Sequence, residues 1–208
     1  MNRFKINTVS LKIIYLLNNE RIDDMKIIAF TGAGISKQSG INTFMEKPEV
    51  REKLHRSFAK KYPQEYNQVI KELKMNMVGA LPNDAHLALA EYQIPIITMN
   101  IDGLHQLAGS NPLELHGGLP EDDEMDIAYS LCNKPVLYGD PAPNYQLAFQ
   151  LVYSLNQDDV FLVIGASFYT AIAGQLREVA KSRGARIIEI QDDAAHNVRK
   201  VLESLLKK

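Results

Sequence analysis

The amino-acid sequence predicts an α/β fold in which a mostly parallel β-sheet is covered by helices on both faces. Two observations lead to this prediction. Short runs of apolar and β-branched residues alternate with longer segments of helical periodicity, which is the pattern of strand–helix–strand units. Several of the apolar runs also end abruptly at glycines or at a polar turn. With 208 residues, of which 46% are apolar, the chain is long enough to fold as one domain.

Four apolar runs are predicted as strands because each has the length and the β-branched content of a buried strand. They are residues 26–31, 95–100, 160–165 and 186–190. Shorter extended segments are predicted near residues 113–115 and 135–138.

Helices are predicted between these strands, where apolar residues recur at helical spacing. The segments are 48–60, 64–78, 83–92, 144–156, 171–183 and 194–205. Asn83 or Asp84 caps the third of them, and Gly184 ends the fifth in the C′ position. A short helix over residues 8–17 is predicted to cover one edge of the domain. The acidic segment 121–126 is predicted to be a solvated loop.

Charge and cysteine content exclude several partners and compartments. Lys and Arg number 23 against 25 Asp and Glu, so the net charge of −2 gives no reason to expect nucleic acid or an anionic membrane as partner. The longest apolar run, residues 160–166, is far shorter than the roughly 18 residues that a membrane-spanning helix needs. The N-terminal segment lacks a small-residue cleavage site, and the sequence leaves open whether the protein starts at Met1 or at Met25. The single Cys132, expected to be buried, predicts a reduced, cytoplasmic protein.

Glycine-rich turns follow two of the predicted strands. Residues 31–36 (TGAGIS) follow the first strand, and residues 165–167 (GAS) follow the third. Glycines let the backbone approach a pyrophosphate, and N–H groups that lead into a helix attract it. Lys37 occupies the place of the third glycine of a dinucleotide fingerprint, however, and no Gly-Lys-Ser/Thr follows. A tight strand–helix turn therefore explains the glycines equally well.

Polar candidates follow the second predicted strand. Asn100 stands at its end, and Asp102 and His105 follow it, although only Asp102 has a clear structural use there, as a helix cap. His116 precedes two glycines, and an imidazole with an ordinary pKa of about 6.5 can act as a base near neutral pH. No two histidines have the spacing of metal ligands. The other histidines are interpreted as structural or solvated: His55, His86, His105 and His196.

Ordered segments of the chain match one family pattern. Residues 32–41 (GAGISKQSGI) match GAGxSxxSGI, residues 82–86 (PNDAH) match PxxAH, and residues 98–105 (TMNIDGLH) match TQNIDGLH. Further matches are residues 114–117 (ELHG) to ELHG, 134–140 (KPVLYGD) to RPxVVxFGE, 163–167 (VIGAS) to VVGTS and 190–191 (IQ) to IN. Over residues 26–195 the chain thus resembles the sirtuin family of NAD-dependent protein deacylases. The resemblance implies a Rossmann-like sheet and a small, mainly helical module over about residues 42–80.

The resemblance also implies roles for individual residues. NAD would be bound by residues of the two glycine turns and by later polar residues: Gly32, Ala33, Gly34, Ser36, Phe44, Asn100, Asp102, Gly165, Ser167 and Gln191. Within this set Phe44 would cover the reacting sugar, Asn100 would position the ribose or a water, and Asp102 would orient the nicotinamide carboxamide. His116 would be the catalytic base that deprotonates a ribose hydroxyl, assisted by Asn100 and Asp102. An acylated-lysine peptide would pair by strand addition with the segment that comprises Val136, Leu137 and Tyr138.

The chain departs from the family in the segment after the base. Sirtuins usually carry two Cys-x-x-Cys pairs there that hold a structural zinc ion, whereas residues 117–134 contain only Cys132. We therefore expect no zinc, and a single catalytic domain over residues 1–208 with a shortened loop at 117–134. Met45 replaces an Arg of the family's IPDFR segment, and Met99 replaces a Gln near the ribose.

The activity that the resemblance implies is NAD-dependent lysine deacylation, in which the acyl group passes to ADP-ribose and nicotinamide is released. One alternative is an ADP-ribosyltransferase or NAD glycohydrolase, and the other is a catalytically weak NAD- or ADP-ribose-binding protein. Asn100, Asp102 and His116 count against the last, because a pure binder has no use for a base beside the ribose.

Overall fold

A computed structural model describes residues 25–41, 48–168 and 170–206 of the chain. Within these residues one sheet is formed by β1 (Ile27–Thr31), β2 (Ile96–Thr98), β3 (Leu113–Glu114), β4 (Val160–Ile164) and β5 (Arg186–Ile190). The strands lie in the order β3-β2-β1-β4-β5, and every neighbouring pair is parallel. The predicted α/β class with a parallel sheet is confirmed.

The strand order reverses between β1 and β4. The chain moves outward from β1 to β2 and β3, and then crosses to β4 and β5 on the other side of β1. Because β1 and β4 are in register from Ile27↔Val160 to Thr31↔Ile164, the two strands end level with each other. The crevice beyond their carboxyl ends is the place where open α/β sheets bind ligands.

The α-helices of the described residues are α1 (Pro48–Lys53), α2 (Arg56–Lys61), α3 (Pro63–Met75), α4 (Asp84–Glu91), α5 (Leu104–Leu107), α6 (Tyr145–Tyr153), α7 (Ala171–Ser182) and α8 (Ala194–Leu206). Two 3-10 helices, Ala33–Ser39 and Asp122–Ser130, follow β1 and β3. In the described part of the chain, no helix has the length and apolarity to cross a bilayer.

Helices cover both faces of the sheet, as predicted. Alternate residues of β1 point to opposite faces. Ile28 and Phe30 belong to one apolar cluster with side chains of α6 and α7, whereas Ile27 and Ala29 belong to a second cluster with α4 and α8. All residues of β1 and β4 are buried. Strands buried on both faces appear in the sequence as continuous apolar runs, which is why these two were predictable.

A third apolar cluster forms the core of a helical module beside the sheet. Tyr66 and Ile70 of α3 pack there with Met125, Ala128 and Leu137. The prediction of a solvated loop at residues 121–126 was wrong, because this segment enters the 3-10 helix Asp122–Ser130 and buries Met125 against α3. The carboxylates of Asp122 and Asp126 remain exposed, whereas Glu124 pairs with Lys134.

The predicted helix over residues 48–60 is interrupted at Leu54 and His55. There the backbone pairs with Tyr138: the Tyr138 N–H donates to the Leu54 carbonyl at 3.0 Å, and the Arg56 N–H donates to the Tyr138 carbonyl at 2.9 Å. These bonds need an extended chain, so α1 ends and α2 begins around them. The extended segment predicted near residues 135–138 is limited to this bridge between His55 and Tyr138.

Two further predictions concern single features. Cys132 is exposed, so the expectation of a buried thiol was wrong. It lies in the connection after the 3-10 helix Asp122–Ser130, which runs over the surface. The helix predicted over residues 8–17 lies outside the described residues.

One arginine fastens the connection after this 3-10 helix to the helical module. Arg56, at the start of α2, donates from Nε and Nη2 to the two carboxylate oxygens of Asp140, at 2.7 Å each. Its Nη1 and Nη2 also donate to the carbonyls of Tyr129 and Leu131, at 2.6 and 2.7 Å. The Arg56 and Asp140 side chains are only 13% and 9% exposed. The guanidinium lowers the pKa of the Asp140 carboxyl below its ordinary value, mainly through these hydrogen bonds.

Replacement of Arg56 is expected to destabilise the fold strongly. Arg56→Met leaves the largely buried Asp140 carboxylate without its cation, with only the Leu137 N–H as a donor, and removes the donors to two carbonyls. This should lower the free energy of unfolding by about 3 kcal/mol. Urea denaturation followed by circular dichroism measures this loss. Lys71→Met is the matched control, because it removes an ion pair with Asp126 whose side chains are 42% and 88% exposed. Equal losses in the two variants would contradict the assignment of Arg56 as the main fastening of this connection.

Candidate active site

The two glycine turns meet at the point where the strand order reverses. The Gly32 N–H donates to the Ile164 carbonyl at 3.0 Å, and the Gly34 N–H donates to the Gly165 carbonyl at 2.9 Å. A Cβ atom on Gly34 would lie 2.6 Å from Gly165 Cα, and a Cβ atom on Gly165, whose φ is +58°, would lie 2.4 Å from the Ile35 nitrogen. Only glycine permits such an approach. The glycines therefore join the ends of β1 and β4 into one surface.

The structure brings Ser36, Asn100 and Asp102 together. The Ser36 hydroxyl donates to Oδ2 of Asp102 at 2.7 Å and accepts from Nδ2 of Asn100 at 3.1 Å. The second oxygen of Asp102 accepts from the Leu104 N–H at 3.0 Å, at the start of α5. Three residues from two strand ends thus form one polar network at the carboxyl edge of the sheet.

His116 lies next to this network. Its Nδ1 is 3.0 Å from the carbonyl of Met99, the residue before Asn100. Its Nε2 is 3.2 Å from the hydroxyl of Tyr145. Burial lowers the pKa of His116 below its ordinary value, and the hydrogen bond to Met99 opposes this change in part. The imidazole is therefore neutral at neutral pH, which is the state that a general base requires.

The other predicted cofactor residues lie at the two glycine turns or outside the described residues. Gln191 Nε2 donates to the Ala166 carbonyl at 3.2 Å, and Ser167 is half-buried in the same turn. Ala33 is half-buried at the start of the 3-10 helix Ala33–Ser39. Phe44 lies outside the described residues.

Arg177 also supports this turn, although nothing in the sequence pointed to it. Its Nη2 donates to the Ala166 carbonyl at 3.0 Å, so that this carbonyl accepts from both Arg177 and Gln191. The carboxylate of Glu189 binds Nε of Arg177 at 2.6 Å. Arg177 is a single buried arginine on a helix and belongs to no sequence motif. Its contact with the turn is therefore visible only in the structure.

The predicted peptide segment is already used by the chain itself. The Val136 N–H donates to the His116 carbonyl at 2.8 Å, the Leu137 N–H to Oδ2 of Asp140 at 3.1 Å, and the Tyr138 N–H to the Leu54 carbonyl. Val136 thus lies directly beside the base candidate. Tyr138 is exposed and stacks on His55 with the ring centroids 4.8 Å apart.

A buried network of hydroxyl groups and histidines lies behind the site. The Thr31 hydroxyl donates to the Thr98 hydroxyl at 2.8 Å and lies 3.0 Å from Nε2 of His105. The Thr98 hydroxyl accepts from the Asn100 N–H at 3.0 Å, which connects the network to the site. The rings of His105 and His86 are 4.9 Å apart. Both were interpreted as structural or solvated, and both are buried beside the site rather than solvated.

The described residues contain no group of three or more His, Cys, Asp or Glu side chains that could hold a metal ion. An open cavity of about 380 Å³ borders Asp102 on the side of α3. Its lining includes Met77, Ile101, Gln106 and Glu114, and Gln106 donates to Glu114 there at 2.6 Å.

A parallel sheet of this order, with glycine turns joined at the reversal point, defines an α/β domain of the dinucleotide-binding class. The profile of the Sir2 family matches residues 32–133. The chain is 32% identical over 200 residues to an NAD-dependent protein deacetylase of Thermodesulfovibrio yellowstonii, covering 78% of each chain. It is 33% identical over 198 residues to NAD-dependent protein deacylase 2 of Archaeoglobus fulgidus, covering 77% of this chain and 78% of the relative.

Solved Sir2 structures have the same fold. One, described in work on the mechanism and regulation of Sir2 enzymes, has a TM-score of 0.72 at 27% identity and covers 86% of this chain and 92% of that one. Another, bound to a propionylated peptide, has a TM-score of 0.71 at 26% identity, with coverage of 93% and 97%. The chain belongs to the Sir2 family, and the predicted sirtuin membership is confirmed.

The buried histidines are expected to make the fold sensitive to acid. Burial lowers the pKa of His86 to about 4 and that of His105, which also faces His86, to about 3. The unfolded chain binds protons near pH 6.5, so stability is complete above that pH and is lost as the pH falls toward 4. Each histidine should contribute about 1.4 kcal/mol per pH unit in that range.

Urea denaturation at a series of pH values between 4.5 and 7.5 measures this slope. Carboxyl groups, whose ordinary pKa values are about 4, contribute little above about pH 5.5, so the slope of the histidines is read between about pH 5.5 and 6.5. His105→Asn should reduce the slope, whereas His196→Asn, at an exposed position of α8, should retain it. A free energy of unfolding that stays constant across the window would refute the prediction.

Proposed function

We propose that this protein is an NAD-dependent protein-lysine deacylase, with His116 as its general base. The observation that carries the proposal is the position of His116. The ring is half-buried, desolvation lowers its pKa, and it hydrogen-bonds to Met99 beside the Ser36–Asn100–Asp102 network. The names of the curated relatives, NAD-dependent protein deacetylase and deacylase, agree with this activity.

The residues at the carboxyl edge fit a dinucleotide. The joined glycine turns offer backbone without side chains at the reversal point of the sheet, where a pyrophosphate can approach closely. Gly32, Ala33, Gly34, Ser36, Gly165 and Ser167 are the residues that we assign to the diphosphate, with Gln191 supporting the second turn. When bound, NAD supplies an ADP-ribosyl group that is already attached to a cationic leaving group.

The polar network orients the reacting end of the substrate. Asp102 accepts hydrogen bonds, so it can hold the amide of the nicotinamide, and Asn100 can hold a ribose hydroxyl or a water. Nε2 of His116, whose lone pair faces the Tyr145 hydroxyl, would take the proton of a ribose hydroxyl of bound NAD. Charge that builds on the sugar during bond cleavage is stabilised by fixed polar groups in a buried site. We assign Phe44 to the covering of the sugar.

An acylated-lysine peptide is assigned to the segment of Val136, Leu137 and Tyr138. The three N–H groups of this segment donate within the chain, and the carbonyls of Leu137 and Tyr138 accept from the N–H groups of Asp140 and Arg56. The carbonyl of Val136 and the side chains are therefore what the segment can offer to a peptide. The contact of Val136 with the His116 carbonyl brings a peptide at this segment close to the base. We also propose that the enzyme works in the cytoplasm, without nucleic acid or membrane as partner, consistent with one free cysteine and a net charge of −2.

Removal of the base is expected to abolish turnover without preventing NAD binding. His116→Ala, incubated with NAD and an acylated-lysine peptide, should release no nicotinamide above background, while calorimetry still detects NAD binding. His196→Ala, at an exposed position of α8, is the control and should keep full activity. Undiminished release by His116→Ala would remove His116 from its role.

The masses of the wild-type products separate the candidate activities. Nicotinamide release that requires the peptide and yields acylated ADP-ribose supports deacylation. Release without peptide, or ADP-ribose attached to protein, identifies a glycohydrolase or ADP-ribosyltransferase instead. Binding of NAD without release identifies a binding protein.

The shortened loop is expected to hold its shape without zinc. Elemental analysis of the purified protein should find no stoichiometric zinc, because the loop contains one cysteine and is fastened by Arg56. Incubation with a chelator should leave the circular dichroism spectrum and the melting temperature unchanged. One equivalent of zinc, or unfolding by the chelator, would contradict this expectation.

A further inference from the structure

Tyr145 is the residue of the site for which the sequence provides no role. It begins α6, directly after Asn144, and its hydroxyl lies 3.2 Å from Nε2 of His116. The side chain of Asn144 donates to the Glu114 carbonyl at 2.6 Å. The start of α6 is thereby tied to β3, two residues before His116, and this tie holds the phenol against the imidazole.

The chemistry of the partners sets the direction of the hydrogen bond. A carbonyl can only accept, so the contact of Nδ1 with the Met99 carbonyl requires that Nδ1 carries the proton. In the neutral ring Nε2 then has the lone pair, and the Tyr145 hydroxyl must be the donor. The nitrogen that a general base uses thus accepts a hydrogen bond from a phenol.

We propose that Tyr145 is a positioning residue for His116: its hydroxyl holds the lone pair of Nε2 toward the site and yields this place to the substrate hydroxyl. The proposal rests on the proposed function, since it assigns the base a resting partner. Donation to Nε2 stabilises the neutral imidazole, because a protonated Nε2 cannot accept this bond. The proton of the substrate hydroxyl then moves to Nε2 once the phenol has left it.

The charged and titratable groups around His116 and Tyr145 do not replace Tyr145 as the hydrogen-bond partner of Nε2. Burial raises the pKa of the Tyr145 phenol, and the nearby Tyr138 raises it further. The carboxylates of Asp102 and Glu114 have partners elsewhere: Asp102 binds Ser36 and the Leu104 N–H, and Glu114 binds Gln106. The pKa of His116 is accordingly lowered by burial and raised by Met99, with no carboxylate among these causes.

Tyr145→Phe tests the proposal, with Tyr153→Phe as a matched control. Tyr153 ends the same helix, is exposed, and stacks on Arg183 at 4.5 Å, far from any role at Nε2. NMR titration of the imidazole signals follows His116, whose signal is identified by its loss in His116→Gln. Loss of one hydrogen bond to the neutral ring should raise the pKa of His116 by about 0.5 to 1 unit in Tyr145→Phe. An unchanged His116 titration in that variant, or an equal rise in Tyr153→Phe, would overturn the proposal.

The pH dependence of deacylation gives a second readout that a merely structural role would not move. In Tyr145→Phe the acidic limb of kcat/KM should shift upward by the same amount, with little change in the plateau rate. A fall in rate at every pH, without a shifted limb, would overturn the proposal, since it would make the phenol a proton carrier. The NMR titration does not depend on turnover. If the protein shows no deacylase activity, the proposed function is refuted, but the titration still tests whether the Tyr145 hydroxyl donates to His116.

Discussion

The close approach of two backbone turns is the constraint on which the site depends. Gly34 and Gly165 meet at distances that leave no space for a side chain on either of them. Their contact joins the ends of β1 and β4 at the reversal point, and it fixes the direction in which the following 3-10 helix leaves the sheet. Ser36 lies in that helix, which is why its hydroxyl reaches both Asn100 and Asp102.

Burial of polar side chains around the site has two effects that oppose each other. The low-polarity surroundings keep His116 neutral and therefore able to accept a proton. The same surroundings hold His86 and His105 neutral, each with one ring nitrogen that is buried without a hydrogen-bond partner. Such nitrogens cost stability, because they lose the hydrogen bonds that water would provide. The burial that keeps His116 neutral thus also reduces the stability of the fold in the same region.

Much of the fold was predictable because its determinants are local. The strands β1 and β4 are buried on both faces and so form continuous apolar runs, and the polar residues that form the site stand at the strand ends. The interruption at Leu54 was not predictable, since it depends on pairing with Tyr138 much later in the chain. The exposure of Cys132 depends likewise on the path of a connection.

Parts of the site were beyond prediction for the same reason. Tyr145 lies 29 residues after His116, on a helix whose pattern resembles that of any surface helix, and only the tie of Asn144 to β3 brings it to the imidazole. Arg177 reaches the second glycine turn from another helix. Contacts of this kind depend on tertiary packing, which no motif encodes.

Because Arg56 holds the short connection partly through main-chain atoms, the amino-acid sequence of that connection can diverge. Two of its four bonds are made to the carbonyls of Tyr129 and Leu131, and every amino acid supplies the same main-chain oxygen. Substitutions at these two positions can therefore accumulate during evolution while the path of the chain is kept. An alignment of relatives built in this way would show a poorly matching stretch here, although the atoms that secure it would be equivalent.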